Sequence, residues 1–183
     1  MARPQRTLDV STAADWRAWL QAHHATEPEV WLVYHSKASG MPSITYNDAV
    51  DEALCFGWID STVRKLGPDS RAQRFTPRRQ GSPLSEMNKV RVRRLADAGR
   101  MTPTDMAAAG AILDEPFSVA PGILASLQAD ETTWRNFQAF PDSYQRIRIG
   151  WIEGARNRPE VFETRLRYFL RMTAQNKRYG MVQ

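Results

Sequence analysis

The sequence predicts an α+β fold: a small three-stranded antiparallel sheet with flanking helices, followed by a helical C-terminal region. In the first part of the chain, amphipathic patterns with helical spacing alternate with short runs rich in β-branched and aromatic residues. Beyond about residue 102 the recurring pattern is helical. The 183 residues, 42% of them hydrophobic, suffice for a sizeable core and exclude a disordered tail. We therefore predict an α+β domain over residues 1–113, with residues 114–183 as a helical region packed on it.

The first elements are predicted from their start and stop signals. Residues 11–24 have the spacing of a helix, with serine or threonine as the cap and tryptophan and leucine recurring at i, i+3 and i+4. Residues 30–37 (VWLVYHSK) are typical of a strand. Thr45 begins a sequence that resembles a capping box, and the helix that follows it ends at Gly57.

A hairpin and further helices are predicted after Gly57. Residues 58–66 and 71–76 pair as antiparallel strands across a Gly-Pro-Asp-Ser turn. Ser82 followed by Pro83 predicts a helix start, with the serine as cap and the proline in the first turn. Later helices are predicted at 102–113, around 123–127, and near 142–155 and 160–176.

The positive charge of the chain is unevenly distributed. The formal net charge is +5, yet residues 64–100 alone hold 11 Lys or Arg against 3 Asp or Glu, a net charge of +8. Almost all of these basic residues are arginine, whose planar fork pairs with carboxylate or phosphate. Two interpretations stay open: a solvated face with local ion pairs, or a surface that faces anions.

Several uncommon short motifs follow one another in a fixed order between residues 51 and 101. They are DEALCFGWIDS at 51–61, FTPRR at 75–79, then Ser82, Ser85 and Asn88, and GRM at 99–101. In order and spacing, over roughly residues 14–105, they resemble the YdeI/OmpD-associated family, also called bacteriocin-protection proteins. A weaker resemblance continues through Tyr144, Trp151-Ile152, Ala155 and 163–165.

The resemblance has two departures and implies little mechanism. Leu84 stands where the family pattern usually has tryptophan, so an aromatic wall of any pocket is in doubt, and Arg156 replaces a lysine. The family implies a link to envelope stress or antimicrobial resistance, with no assigned biochemical activity. We therefore expect a stress- or resistance-associated protein that binds an anionic small molecule or an acidic partner.

The residues around the predicted helix start at Ser82 could hold that anion. Arg78 and Arg79 precede free backbone N–H groups and serine hydroxyls, and a helix N-terminus favours negative charge. In the alternative, Ser82 only caps the helix, and the arginines are solvated or paired with Asp60 or Glu86. The predicted ligand-binding residues are Trp58, Asp60, Arg78, Arg79, Ser82, Ser85 and Asn88.

Two of these residues lie on the predicted first strand of the hairpin. Trp58 and Asp60 point to one face, which gives that face a mixed aromatic and carboxylate character that a pure core would not choose. Asp60 could orient Arg78 or accept a hydrogen bond from a ligand. The other interpretation is a buried ion pair that holds the sheet to the loop.

Sequence-independent nucleic-acid binding is the alternative function, because the sequence pI is about 9.7. No helix-turn-helix, RRM or OB pattern accompanies the charge. The residues that would follow phosphates are Arg64, Lys65, Arg71, Arg74, Arg91, Arg93 and Arg94.

Whether the protein is an enzyme is left open by the sequence. A pair of His35 and Cys55 is conceivable, but a free cysteine in an apolar helix end is usually inert packing. Zinc-ligand spacing, a P-loop and the Rossmann glycine pattern are all missing from the sequence. We therefore predict no catalytic residue, no metal and no cofactor.

The cellular location is predicted from cysteine usage and hydropathy. The single cysteine rules out an internal disulfide, and no apolar run approaches the roughly 18–20 residues of a membrane span. Residues 1–7 are basic but precede no apolar stretch of the kind found in secretory signals. We expect a cytoplasmic protein.

Overall fold

The computed structural model describes residues 6–79 and 81–180, and the chain divides into two compact units. Unit 1 comprises Met1–Pro83 and Arg91–Leu113, and unit 2 comprises Leu84–Val90 and Asp114–Gln183. The α+β class is confirmed, because a sheet and helices are both present and the C-terminal part is helical.

Unit 1 contains a four-stranded mixed sheet. Its strands are β1 (Thr7–Leu8), β2 (Val30–His35), β3 (Trp58–Lys65) and β4 (Ser70–Pro77), in the order β1-β2-β4-β3. Strand β1 runs parallel to β2, and the other two pairings are antiparallel. The prediction of three antiparallel strands was therefore wrong. Strand β1 was missed because two residues are too few to show an alternating pattern.

Most helices of unit 1 begin and end close to the capping residues and glycines that predicted them. They are α1 (Ala13–His23), α2 (Tyr46–Cys55), the later part of α3 (Glu86–Asp97) and α4 (Pro103–Leu113). The Thr12 hydroxyl caps α1 and the Thr45 hydroxyl caps α2, each accepting a hydrogen bond from the backbone N–H three residues later. After α2 the chain turns at Gly57, whose φ of +66° lies in the left-handed region that favours glycine.

The core of unit 1 lies between helices α1 and α2 and one face of the sheet. Trp16, Leu20 and Phe75 are fully buried there. The indole N–H of Trp16 donates to the carbonyl of Ala49 at 3.0 Å, which satisfies the one polar group that this large side chain brings into the core.

The start of α3 differs from the prediction. The helix begins at Glu86, and its cap is Ser85, whose hydroxyl accepts from the backbone N–H of Asn88 at 3.3 Å. Ser82 instead closes a turn, donating its backbone N–H to the carbonyl of Arg79 at 3.0 Å. Gly81, at a φ of +75°, lies within that turn. The Ser-Pro pair does not mark the start of the helix, because Ser82 belongs to a turn that precedes the helix and its N–H is already bonded there.

Unit 2 is helical and has its own apolar core. Besides the first turn of α3 it contains α5 (Pro121–Gln128), α6 (Glu131–Ala139), α7 (Asp142–Glu153) and α8 (Pro159–Ala174). Helix α6, which the sequence pattern did not reveal, is capped by the Asp130 carboxylate. The buried cluster at the centre is formed by Ile123, Leu127, Phe137, Phe140, Tyr144, Ile149, Ile152, Leu166 and Phe169.

The helices of both units are short. Over residues 6–79 and 81–180, no helix is both long enough and apolar enough to cross a lipid bilayer.

Candidate functional site

Trp58, one of the predicted ligand-binding residues, lies in the core of unit 1. Only 1% of its surface is exposed, and its indole N–H donates to the carbonyl of His24 at 3.1 Å. Its ring meets that of Trp19 edge-on, with 5.8 Å between centroids. Trp58 therefore stabilises the packing of α1 against the sheet rather than offering a free ring surface.

Asp60 belongs to a polar cluster on the same sheet face. Its carboxylate accepts hydrogen bonds from the Tyr46 hydroxyl and the Gln73 amide, each at 3.0 Å. Burial, and then the charge of Asp60, raise the pKa of Tyr46 to about 12. The buried hydroxyl of Tyr34 has no hydrogen-bond partner among the described residues. Asp60 therefore bonds two neutral side chains here, rather than an arginine.

The predicted arginine pair is only partly free. The Arg78 guanidinium donates to the carbonyl of Ser82, and its backbone N–H donates to Gly57 at 2.8 Å. The Arg79 side chain is exposed. Ser85 and Asn88 belong to unit 2, so neither unit by itself assembles the whole predicted group. An anion site on these residues stays a prediction.

Most of the residues of the predicted nucleic-acid surface have partners within unit 1. Arg91 and Arg94 both pair with the buried carboxylate of Asp51. Arg74 pairs with Glu29. The remaining contacts are those of Arg64 over the Trp31 ring, Arg71 over the Tyr34 ring and Arg93 with the carbonyl of Ile112. Such contacts support the interpretation of local pairing, and nucleic-acid binding remains an untested prediction.

The two residues considered for nucleophilic chemistry lie in ordinary structural surroundings. Cys55 is fully buried, and burial followed by the neighbouring Glu52 raises the pKa of its thiol, which disfavours the reactive thiolate. The imidazole Nε2 of His35 lies 2.9 Å from the Asp9 carboxylate.

A different candidate site lies in unit 2, around Arg148 on helix α7. Arg148 is only 7% exposed, and it is the one basic residue in the buried class over the described parts of the chain. Its Nε is buried and has no hydrogen-bond partner within the part of the chain that the structure describes. Throughout residues 6–79 and 81–180, none of the ion pairs includes its guanidinium. A buried charge without a counter-ion is costly and calls for an explanation.

Three aromatic rings surround this guanidinium. Its central carbon lies 4.7 Å from the ring centre of Tyr179, 5.5 Å from that of Tyr144 and 5.9 Å from that of Trp151. The chain also passes close by at Gly180, where a Cβ would lie 2.7 Å from a guanidinium nitrogen. Ring faces attract a cation, but they supply no hydrogen-bond acceptor for its N–H groups.

Tyr179 contacts both Arg148 and two of the rings that line an open groove. The Tyr179 ring lies 6.2 Å from that of Trp151 and 4.7 Å from that of Tyr168, and both of these rings line the groove. Burial raises the pKa of Tyr179 to about 12, while the positive charge of Arg148 opposes that rise. The groove has a volume of about 530 Å³ and is lined by Trp151, Glu160, Val161, Thr164, Arg165 and Tyr168.

Sequence reasoning missed Arg148, although a signal for it exists. Arg148 stands between Ile147 and Ile149, both of which are buried, and the segment continues as Gly-Trp-Ile. An arginine flanked by apolar residues in a helix is expected to be buried with them, and a buried arginine usually has a partner for its charge.

The fold and this site define the class of protein. It has an α+β domain followed by a helical unit, and the helical unit contains a buried arginine surrounded by aromatic rings. A family model described as a domain of unknown function (DUF8412) matches residues 8–108. A second, described as Bacteriocin-protection, YdeI or OmpD-Associated, matches residues 116–176. The chain belongs to the DUF8412 family, whose model covers more than half of it, and its C-terminal helices resemble the YdeI/OmpD-associated proteins.

The resemblance expected from the sequence is thus confirmed, but it falls on a different part of the chain. The YdeI/OmpD-associated model covers the helices that carry Arg148 and the groove, where the sequence had suggested the weaker match. No curated protein matches the chain, and no solved structure matches it either.

Proposed function

We propose that this protein binds an anionic small molecule, or an acidic group of a partner, at Arg148, in a stress- or resistance-associated role. The single observation that carries the proposal is the buried guanidinium, whose Nε has no hydrogen-bond partner over residues 6–79 and 81–180. A carboxylate would accept two parallel N–H bonds from the guanidinium and neutralise its charge, which the three rings cannot do.

Access of the anion to Arg148 requires movement of Tyr179. The hydroxyl of Tyr179 makes no hydrogen bond of ordinary geometry among the described residues, so what moving the ring gives up is its contact with the Arg148 guanidinium and with the neighbouring rings. One backbone bond holds this residue, from its N–H to the Tyr144 hydroxyl at 3.2 Å. The ring would swing away from the guanidinium while the anion takes its place.

The proposal is tested by calorimetric titration of the full chain with acetate and with inorganic phosphate. Arg148→Met is expected to abolish binding, because methionine fills a similar volume without charge. The matched control is Arg167→Met, which removes the same charge from an exposed position of α8. Equal affinity in the wild type and in Arg148→Met, or equal loss in both variants, would refute the proposal.

The stability of Arg148→Met distinguishes binding from a structural role. Without ligand, its free energy of unfolding is expected to lie within about 1 kcal/mol of the wild type, because removal of the unpaired charge offsets the lost ring contacts. A loss of several kcal/mol would assign Arg148 to the architecture of unit 2 instead.

A further inference from the structure

We propose that the ligand of Arg148 is an aromatic monocarboxylate whose flat apolar body lies in the groove between Trp151 and Tyr168. The inference rests on the proposed function and specifies the chemical class of the ligand. It depends on the groove, which is a separate observation from the unpartnered guanidinium.

The groove has the dimensions and walls of a site for a small planar molecule. Its volume of about 530 Å³ falls within the range of roughly 300–1,000 Å³ typical of small-molecule sites. Trp151 and Tyr168 are each 36% exposed, which is unusual for large rings that also contact a third ring. Exposed ring surface that faces a groove is an offset-stacking surface for another aromatic ring.

The charges along the groove favour a single negative charge at one end. Glu160 lines the groove and is exposed, so a ligand with a second negative charge would be repelled there. The Arg165 guanidinium also lines the groove, lies 4.5 Å from the Trp151 ring centre and donates to the neutral Trp151 carbonyl, so it keeps its positive charge there. We place the carboxylate at Arg148, because the buried Nε of Arg148 has no hydrogen-bond partner among the described residues.

Tyr179 connects the two parts of this site. Its ring contacts Trp151 and Tyr168 on the groove side and lies over Arg148 on the other. When the Tyr179 ring moves aside, the groove and the guanidinium become continuous. An aromatic ring of the ligand can then occupy part of the space and the ring contacts that Tyr179 leaves.

The test compares acetate, benzoate and indole-3-acetate, which carry the same charge, by calorimetric titration of the full chain. Indole-3-acetate is expected to bind at least about tenfold more tightly than acetate, since roughly 60 Å² of buried ring surface gives that factor. Tyr168→Ala is expected to remove this advantage, so that indole-3-acetate and acetate bind the variant with similar affinity. The control is Tyr46→Ala, which removes a comparably exposed tyrosine from unit 1.

A second variant keeps the test decisive if Tyr168→Ala does not fold. Thr164 lines the groove and is exposed, so Thr164→Trp fills the groove without removing a core side chain. It is expected to weaken indole-3-acetate at least about tenfold more than it weakens acetate. Equal affinity of the wild type for all three probes would refute the proposal that the ligand is aromatic, but it would still support anion binding at Arg148. Binding of none of them would overturn both.

Discussion

Gly57 is the position at which the fold of unit 1 tolerates a side chain least. At its φ of +66°, an alanine destabilises the folded state by about 1–2 kcal/mol. Alanine also restricts the unfolded chain, which offsets about 0.4–1 kcal/mol of that loss. A Cβ there would also lie 2.5 Å from the Oδ1 atom of Asp105. Because Asp105 bonds the Thr102 hydroxyl at the start of α4, displacing it costs about 1 kcal/mol more. We expect Gly57→Ala to lower the free energy of unfolding by about 2 kcal/mol.

The assay is equilibrium unfolding in urea, with Gly99→Ala as the matched control. Gly99 has a similar φ of +63°, but a Cβ there would meet nothing within 4 Å, so that variant should lose only about 1 kcal/mol. In an Asp105→Ala background, Gly57→Ala should cost no more than the control, because the clashing carboxylate is gone. Equal losses for the two glycine variants in the wild-type background would refute the contact.

Three other predictions test the helix start, the ion pairs and the polar cluster of Asp60. Ser85→Ala should lower the free energy of unfolding by about 1 kcal/mol, and Ser82→Ala should lower it by less than about 0.5 kcal/mol. If urea unfolding gave the reverse order, the observed cap would be contradicted. Asp51→Ala should lower the free energy of unfolding by about 3 kcal/mol, because it leaves the mostly buried Arg91 without its carboxylate partner. A loss below about 0.5 kcal/mol would show that the ion pairs of Asp51 behave as surface contacts. Asp60→Asn should lower the pKa of Tyr46 from about 12 toward its usual value. In the wild type, the stability linked to this phenol is present below about pH 10 and is lost as the pH rises through about 12; an unchanged phenolate titration in Asp60→Asn would count against the contact.

The parts of the fold with local signals were predictable from the sequence. Thr12 and Thr45 cap their helices because a hydroxyl three residues before a free N–H is a short-range feature of the chain. Gly57 was predictable as a helix stop for the same reason. Strand β1 was not, since a two-residue strand exists only through its parallel pairing with β2.

The candidate site was less predictable because it depends on tertiary partners. Asp60 and Trp58 share a face as expected, but the sequence does not show that Tyr46 and Gln73 reach Asp60 or that Trp58 is packed under α1. A charged residue can be recognised in a sequence, whereas its counter-ion cannot. Asp51 pairs with arginines about 40 positions away, whereas Arg148, within the described residues, is surrounded by rings and has no carboxylate partner.

The most direct test of the central claim is the NMR signal of the Arg148 Nε–H group, assigned by its loss in Arg148→Met. Because this group is buried and lacks a hydrogen-bond partner among the described residues, its resonance should move saturably when indole-3-acetate is added, with the same dissociation constant that calorimetry gives. The signals of exposed arginines such as Arg167 should stay in place. A ligand that binds while the Arg148 resonance does not move would contradict the account.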